Sequence, residues 1–293
     1  LYNEEKNRTS NLEFGGPSGS TLEFFFKKGT GMPASGQSKN QVIFDLHNGI
    51  VSGSNDYGRL RVEIRSGSED RFYVTMQSGG QVPSGFCRVP IPTTGNLDLT
   101  NGDWHQYAFA FETSLSQPKL TLYRDGKCVE TISSTGSIGL VTGSLIGRIG
   151  ALEISPSGTS LTLAQNAQAG FGRLSASLDE FRFWKKRRTS QEIGRYWFTN
   201  VDGGTNKYDA NISLGVYYKF NEGIAPKTTI DRVVSDYSGR MSNGIWYGYD
   251  ADYSRNLKSA INEMSMSNIH ERGDVVVRPL NTRYTTVKDS LEL

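Results

Sequence analysis

Leu120-Thr121-Leu122-Tyr123-Arg124-Asp125-Gly126-Lys127-Cys128-Val129-Glu130-Thr131-Ile132 reads as one strand turning directly into the next. Leu120 and Leu122 recur with the period of a strand that buries one face. Asp125-Gly126 tolerates positive φ at both central positions, as a two-residue hairpin turn requires. The chain then returns from Lys127 to Ile132.

The same period extends on both sides. Tyr107, Phe109 and Phe111, spaced by Ala108 and Ala110, make a strand with one bulky and one small face. In Arg59-Leu60-Arg61-Val62-Glu63-Ile64-Arg65 charged residues alternate with apolar ones, which predicts a half-buried strand with one wet face. Phe72, Val74 and Met76 alternate with Arg71, Tyr73 and Thr75, and Ser66-Gly67-Ser68-Glu69-Asp70 joins the two runs as a hairpin.

Alternation dominates from Leu22 to about Phe183, after which one helix interrupts it. Thr189 with Glu192 is a capping box, and Ile193, Tyr196 and Trp197 form the apolar stripe of a helix from about Ser190 to Phe198. Asn200 to Ser213, rich in Gly, Asn and Asp, reads as a linker. Beyond it Val216, Tyr218 and Phe220 alternate, Trp246 lies among Tyr247 and Tyr249, and Leu257 to Met266 suggests a short helix. Val275-Val276-Val277 is the strong strand signal of the tail. The expected fold is all-β, a sandwich of two antiparallel sheets with one short helix and a smaller C-terminal segment. Its divisions fall at 1–200, 201–213 and 214–293.

Composition narrows the function. Thirty-two basic against thirty acidic residues give a formal charge of +2, too weak a field to argue for nucleic acid or an anionic membrane surface. A hydrophobic content of 36% excludes a disordered chain, and no apolar run is long enough for membrane insertion. Cys87 and Cys128 lack the spacing of a zinc site and read as two buried thiols, able to pair only if the fold brings their strands together. The start at Leu1, with neither methionine nor a signal core, suggests a piece of a longer polypeptide.

Sites for chemistry are sparse. A retaining glycosidase needs two carboxylates about 5 Å apart, often supplied by a Glu-x-Asp on one strand, and the chain has none. Its two-apart acidic pair is Asp250 with Asp252, in a Tyr-rich segment. His47, His105 and His270 show no metal-binding spacing. Gly147-Arg148-Ile149-Gly150 and Gly170-Phe171-Gly172 resemble phosphate loops in glycine content alone. Lys185-Lys186-Arg187-Arg188 reads as a solvated connection. Asn7-Arg8-Thr9 and Asn211-Ile212-Ser213 fit the glycosylation pattern.

Several of these segments, in this order, resemble the laminin-G-like branch of the concanavalin A-like jelly rolls. Asp103-Trp104-His105-Gln106-Tyr107-Ala108 is similar to the family's Trp-His strand, and Leu122-Tyr123-Arg124-Asp125-Gly126-Lys127 to its Asp-Gly hairpin. Leu178-Asp179-Glu180-Phe181-Arg182-Phe183-Trp184, followed by Thr189 to Ile193, resembles the closing strand and helix. The resemblance covers about residues 12 to 198 and implies a two-sheet jelly roll, without enzymatic activity, whose ligands meet a rim of loops. The family's opening Asp-x-Ser-Gly-x-x-Asn-x-Gly does not precede Leu12. A copy follows instead, at Asp236-Tyr237-Ser238-Gly239-Arg240-Met241-Ser242-Asn243-Gly244, and looks like the start of a partial second unit or connector. A jelly roll followed by Tyr218-Lys219-Phe220-Asn221-Glu222-Gly223 is similar to virion structural proteins of tailed, marine T4-like phages.

The expected role is therefore a binding or structural module of a phage tail, baseplate or fibre protein. Its partners would be host-surface glycans or neighbouring virion subunits, and it would form a homo-oligomer through the parent protein. The alternative is a glycan-binding accessory domain of an exported bacterial adhesin or carbohydrate-active enzyme, extracellular or on the cell surface; a hydrolase or a mere spacer completes the set. In the loop from Asn48 to Gly58, Asn55 and Asp56 can hydrogen-bond sugar hydroxyls and Tyr57 can stack on a sugar face. Asp179 alternates with Phe181 and Phe183, so a strict strand would aim its carboxylate at an apolar side. It would then either serve backbone donors or, as the resemblance implies, help hold a calcium ion near the rim.

Overall fold

The computed structural model describes residues 10–29, 40–50, 54–64, 70–79, 85–114, 116–152, 172–201, 210, 212–221, 233–240, 242–246 and 260–263. Its strands are β1 (Ser20–Lys27), β2 (Gln41–His47), β3 (Gly58–Ile64), β4 (Phe72–Ser78), β5 (Gly85–Ile91), β6 (His105–Glu112), β7 (Lys119–Arg124), β8 (Lys127–Ser133), β9 (Ile146–Ile149) and β10 (Ser177–Trp184). Then come helix α1 (Ser190–Tyr196), β11 (Leu214–Tyr218), β12 (Val233–Val234), β13 (Gly244–Ile245) and a four-residue helix, α2 (Ala260–Glu263). None of the helices is long and apolar enough to cross a membrane among the described residues.

Two antiparallel sheets pack face to face as a jelly roll. One runs β11-β10-β1-β6-β7-β8, the other β5-β4-β3-β2-β9, and β12 with β13 forms a small third ladder. Strand alternation fixes which residues meet between the sheets. Leu22, Phe24 and Phe26 of β1, Tyr107, Phe109 and Phe111 of β6, and Phe181 and Phe183 of β10 face Leu46, Leu60, Val62, Phe72, Val74 and Met76. Phe72 meets Tyr107 and Phe109 edge to face, with centroids 4.8 and 5.2 Å apart. The Asp125-Gly126 turn takes φ of 49° and 73°, as its hairpin requires. The capping box forms with both of its hydrogen bonds, and α1 lays Ile193 against Ala108, Ala110 and Tyr123 on the outer face of the larger sheet.

Four expectations change. First, the wet face of β3 is dry: Arg59, Arg61 and Glu63 are at most 2% exposed. Second, Leu214 to Tyr218 does not begin a separate segment beyond a linker, because β11 pairs with β10 and extends the larger sheet, with Val216 in the main core. Val201 and Ala210, from the intervening stretch, pack with Trp184, Leu214 and Tyr217. Third, the basic run is not simply solvated. Arg188 is fully buried, donating to Glu23 at 2.7 Å and lying 4.2 Å from the Trp184 ring, while Lys185, Lys186 and Arg187 pair with Glu13, Glu192 and Glu112. Fourth, Cys87 and Cys128 are free thiols, and Cys128 is exposed on the edge strand β8 rather than buried. Of the expected helix at 257–266 the described residues show 260–263, and Val275 to Val277, His270, Asn7 to Thr9 and the Asp250–Asp252 pair lie outside them.

Candidate rim loop and charged sheet face

The loop joining β2 to β3 is organised by one side chain. Asn48 accepts from Gly58 N (3.2 Å) and Ile50 N (3.3 Å) and donates its amide to the Asp56 carbonyl at 2.6 Å, closing the loop at its base. Gly49, at φ 76°, makes the bend, and its N–H donates to His47 Nδ1 at 2.8 Å. Burial, reinforced by Arg59, lowers the His47 pKa, so the ring stays a neutral acceptor. At the tip Asn55 and Asp56 are exposed, as a hydroxyl-binding pair would be.

Tyr57 turns the other way. Its ring is 7% exposed and stands edge-on to His47 at 5.7 Å, with the hydroxyl hydrogen-bonded to Arg59. Burial raises its pKa. Neither ring face is open to a sugar, so Tyr57 braces the loop against the sheet instead of stacking on ligand. Its side chain begins a row of polar residues that alternation alone could not show to be covered.

That row is the outer face of the five-stranded sheet. Asp45 accepts a two-point contact from Arg59, Nε to Oδ1 at 2.9 Å and Nη2 to Oδ2 at 2.8 Å. Across the same register Asp45 faces Arg61 on one side and Arg148 on the other. Glu63 sits 3.2 Å from Arg61 Nε and 2.7 Å from Arg88 Nε. Arg88 lies over the Tyr73 ring at 5.8 Å and keeps 21% of its side chain exposed. Sequence reasoning missed these residues. The available signal was Asp45, an acid in the otherwise apolar run Val42-Ile43-Phe44-Asp45-Leu46, which demands a buried partner.

Asp179 lies on the other sheet and takes no part in this site. A bulge explains its placement: the β1–β10 register slips between Glu23 and Phe25, and Glu180 adopts φ 51°. Asp179 thereby faces Phe25 on the outer face instead of sharing a side with Phe181 and Phe183. Its Oδ1 accepts from Glu180 N at 2.8 Å and its Oδ2 from Ala260 N at 2.6 Å. Burial pushes its pKa up to about 7. No group of three or more His, Cys, Asp or Glu converges on a metal position among the described residues. Each carboxylate oxygen of Asp179 thus serves one backbone donor.

The residues shared with the laminin-G-like pattern converge elsewhere. His105 donates from Nδ1 to Asp125 Oδ2 at 2.7 Å, while its Nε2 accepts from Arg124 (2.7 Å) and Asn101 (2.9 Å). Asp125 Oδ1 also accepts from Gln106 N at 2.9 Å. The Trp-His strand and the Asp-Gly hairpin are thus locked by one saturated network. Trp104, half-buried, packs on the cluster of Phe25, Trp197, Phe198 and Ala260.

A family model described as the concanavalin A-like lectin/glucanases superfamily matches residues 5–194. The chain belongs to this superfamily. No curated protein matches it in sequence. Among solved structures it is similar to a heptameric pentraxin of Limulus polyphemus, at 12% identity and a TM-score of 0.40 over 67% of this chain and 76% of that one. A Ruminococcus gnavus sialidase module, CBM40, matches at 12% identity and a TM-score of 0.36, over 63% and 83%. A Bacteroides ovatus protein, a candidate carbohydrate binder by its description, matches at 18% and 0.37, and here 84% of this superfamily member spans 63% of the other chain.

Proposed function

We propose that this superfamily member binds glycans without cleaving them, through the β2–β3 rim loop. The superfamily's description joins lectins to glucanases. The state of the carboxylates on the outer sheet face favours the former. Asp45 is gripped at both oxygens by Arg59, and Glu63 is shared by Arg61 and Arg88, so neither can act as nucleophile or proton donor. Exposed Asn55 and Asp56 supply hydroxyl-matching groups next to the hydrogen bonds Asn48 makes to Asp56 and Gly58.

Glycan-array binding followed by calorimetry tests this reading. Asn55→Ala with Asp56→Ala should weaken binding about tenfold or more through lost hydrogen bonds. Bound oligosaccharide should be recovered intact after long incubation; its hydrolysis, or binding untouched by the double variant, defeats the proposal. Repeating the titration with and without calcium decides whether a rim ion takes part. The same proposal sets the module in a phage tail, baseplate or fibre protein facing host-surface glycans or other virion subunits, the setting suggested by Tyr218 to Gly223. Mass spectrometry of purified particles tests that setting.

A further inference from the structure

The chain contains three Asn-Gly pairs, at 48–49, 101–102 and 243–244. Such a pair can close on itself, because the glycine nitrogen, unhindered by a β-carbon, reaches the side-chain carbon of the asparagine. The cyclic imide that forms opens with water to aspartate or isoaspartate. A base on the glycine N–H speeds the closure, and so do donors on the amide oxygen as it takes up negative charge.

Asn48 and Gly49 have both aids in place. The Gly49 N–H donates to His47 Nδ1 at 2.8 Å. Asn48 Oδ1 accepts from two backbone donors, Gly58 N at 3.2 Å and Ile50 N at 3.3 Å, the arrangement that receives an oxyanion in acyl transfer. Asn48 Nδ2, the leaving nitrogen, donates to the Asp56 carbonyl at 2.6 Å. Gly49 is exposed and Asn48 half-buried, so water has access to the imide. The other two pairs are built differently. Gly102 N donates to the Lys28 carbonyl at 3.0 Å, and Asn101 Oδ1 accepts from one backbone donor, Asp103 N. Gly244 lies in β13 opposite Val234, and Asn243 Oδ1 accepts from Asp236 N.

We infer that Asn48-Gly49 is a self-modifying site, where the protein converts Asn48 to aspartate or isoaspartate with His47 as the base. His47 Nδ1 takes the Gly49 proton as the nitrogen bonds to Asn48 Cγ. The Cγ–Nδ2 bond then breaks, Nδ2 receives that proton from the imidazolium, and ammonia departs. Water adds to one imide carbonyl, and cleavage of its bond to the Gly49 nitrogen returns a hydrogen there. The new carboxylate has no hydrogen to donate to the Asp56 carbonyl, so the tip bearing Asn55 and Asp56 loses that tie. This inference does not depend on glycan binding.

The test incubates the full folded chain at neutral pH and follows all three pairs by peptide mass spectrometry, which distinguishes imide, aspartate and isoaspartate. Asn48 should convert roughly tenfold faster than Asn101 and Asn243, and unfolding in urea should bring the three rates together. Burial and Arg59 favour the neutral His47 ring, Asp45 and a backbone hydrogen bond at Ile50 oppose them, and Tyr57 packs edge-on. Once that ring is neutral the Asn48 rate should level off with pH, whereas hydroxide-driven conversion at the other pairs keeps climbing. His47→Phe keeps a ring against Tyr57 without the acceptor and should slow Asn48 about tenfold. Asn48→Asp imitates one product and should quicken hydrogen exchange at Asp56 and Tyr57 severalfold. Equal rates at the three pairs in the folded chain, or slower conversion of Asn48 there than in urea, would overturn the site. An Asn48 rate that climbs with pH like the others, or is unchanged in folded His47→Phe, would overturn the role of His47, and unaltered exchange in Asn48→Asp would remove the loosening of the tip.

Discussion

Asp179 is a buried carboxyl group whose pKa, about 7 in the folded chain, stands well above its ordinary 3.8. Below about pH 4 it is protonated in both folded and unfolded states. As pH climbs toward 7 the unfolded chain releases this proton first, so stability from this group falls across that window and is flat above it. Glu180 raises the pKa further and Arg182 opposes it. The loss is of the order of a few kcal/mol. Asp179→Asn cannot ionise and should flatten the slope of stability between pH 4 and 7, measured by denaturant titration at several pH values; an unchanged slope would sink the assignment. The Arg59–Asp45 pair gives a second prediction. Arg59→Met removes both charge-assisted hydrogen bonds to a buried carboxylate and should cost about 3–5 kcal/mol, while Arg59→Met with Asp45→Leu should recover much of it. At this scale the sequence was partly legible. Asn55 and Asp56 are exposed as their polarity suggests, but whether Tyr57 turned out or in depended on His47 and Arg59, which no local pattern connects to it.

Local chemistry made some elements readable before others. The β7–β8 turn and the α1 cap are each specified by residues within four positions of one another, and both form as expected. Thr189→Ala should therefore cost about 1 kcal/mol in a melting experiment. Strict alternation does not reveal the bulges at Glu180 and Arg88, because a bulge is decided by what the neighbouring strands need. The outer edge of β11 is the third case. Asp236 accepts from Tyr217 N (3.0 Å) and Ser238 N (2.9 Å) through Oδ1, and Arg240 donates to the Leu214 carbonyl at 2.6 Å. The Asp-x-Ser-Gly copy thus closes a sheet edge. Gly215 lies beneath the N-terminal stretch, where a β-carbon would sit 1.9 Å from the Asn11 carbonyl oxygen. Gly215→Ala should lift that stretch and cost about 1–3 kcal/mol, seen as faster hydrogen exchange at β11.

For the whole molecule, hydrophobic alternation was enough to predict two antiparallel sheets, because the side-chain period of two leaves little else for so many short strands. It could not show that both sheets would bury charge on their outer faces, since the partners of Arg59, Glu23 and Arg188 come from other strands and loops. Sheet order carries a further consequence, one of timing. β1 lies between β10 and β6, so Thr21 is bonded to Ala110 on one side and Trp184 on the other. During synthesis β6 emerges first, and β10 follows only after roughly 70 more residues, a wait on the order of 4–14 s at typical elongation rates. Throughout it the nascent sheet presents β1 as an unpaired edge, with Phe25 still uncovered by Trp197 and Phe198. Ribosome-stalled chains ending before Ser177 should consequently recruit chaperones and resist release in soluble form, whereas chains stalled past Tyr218 with the tunnel length added should not; equal chaperone occupancy at both lengths would show that closure of the sheet does not await β10.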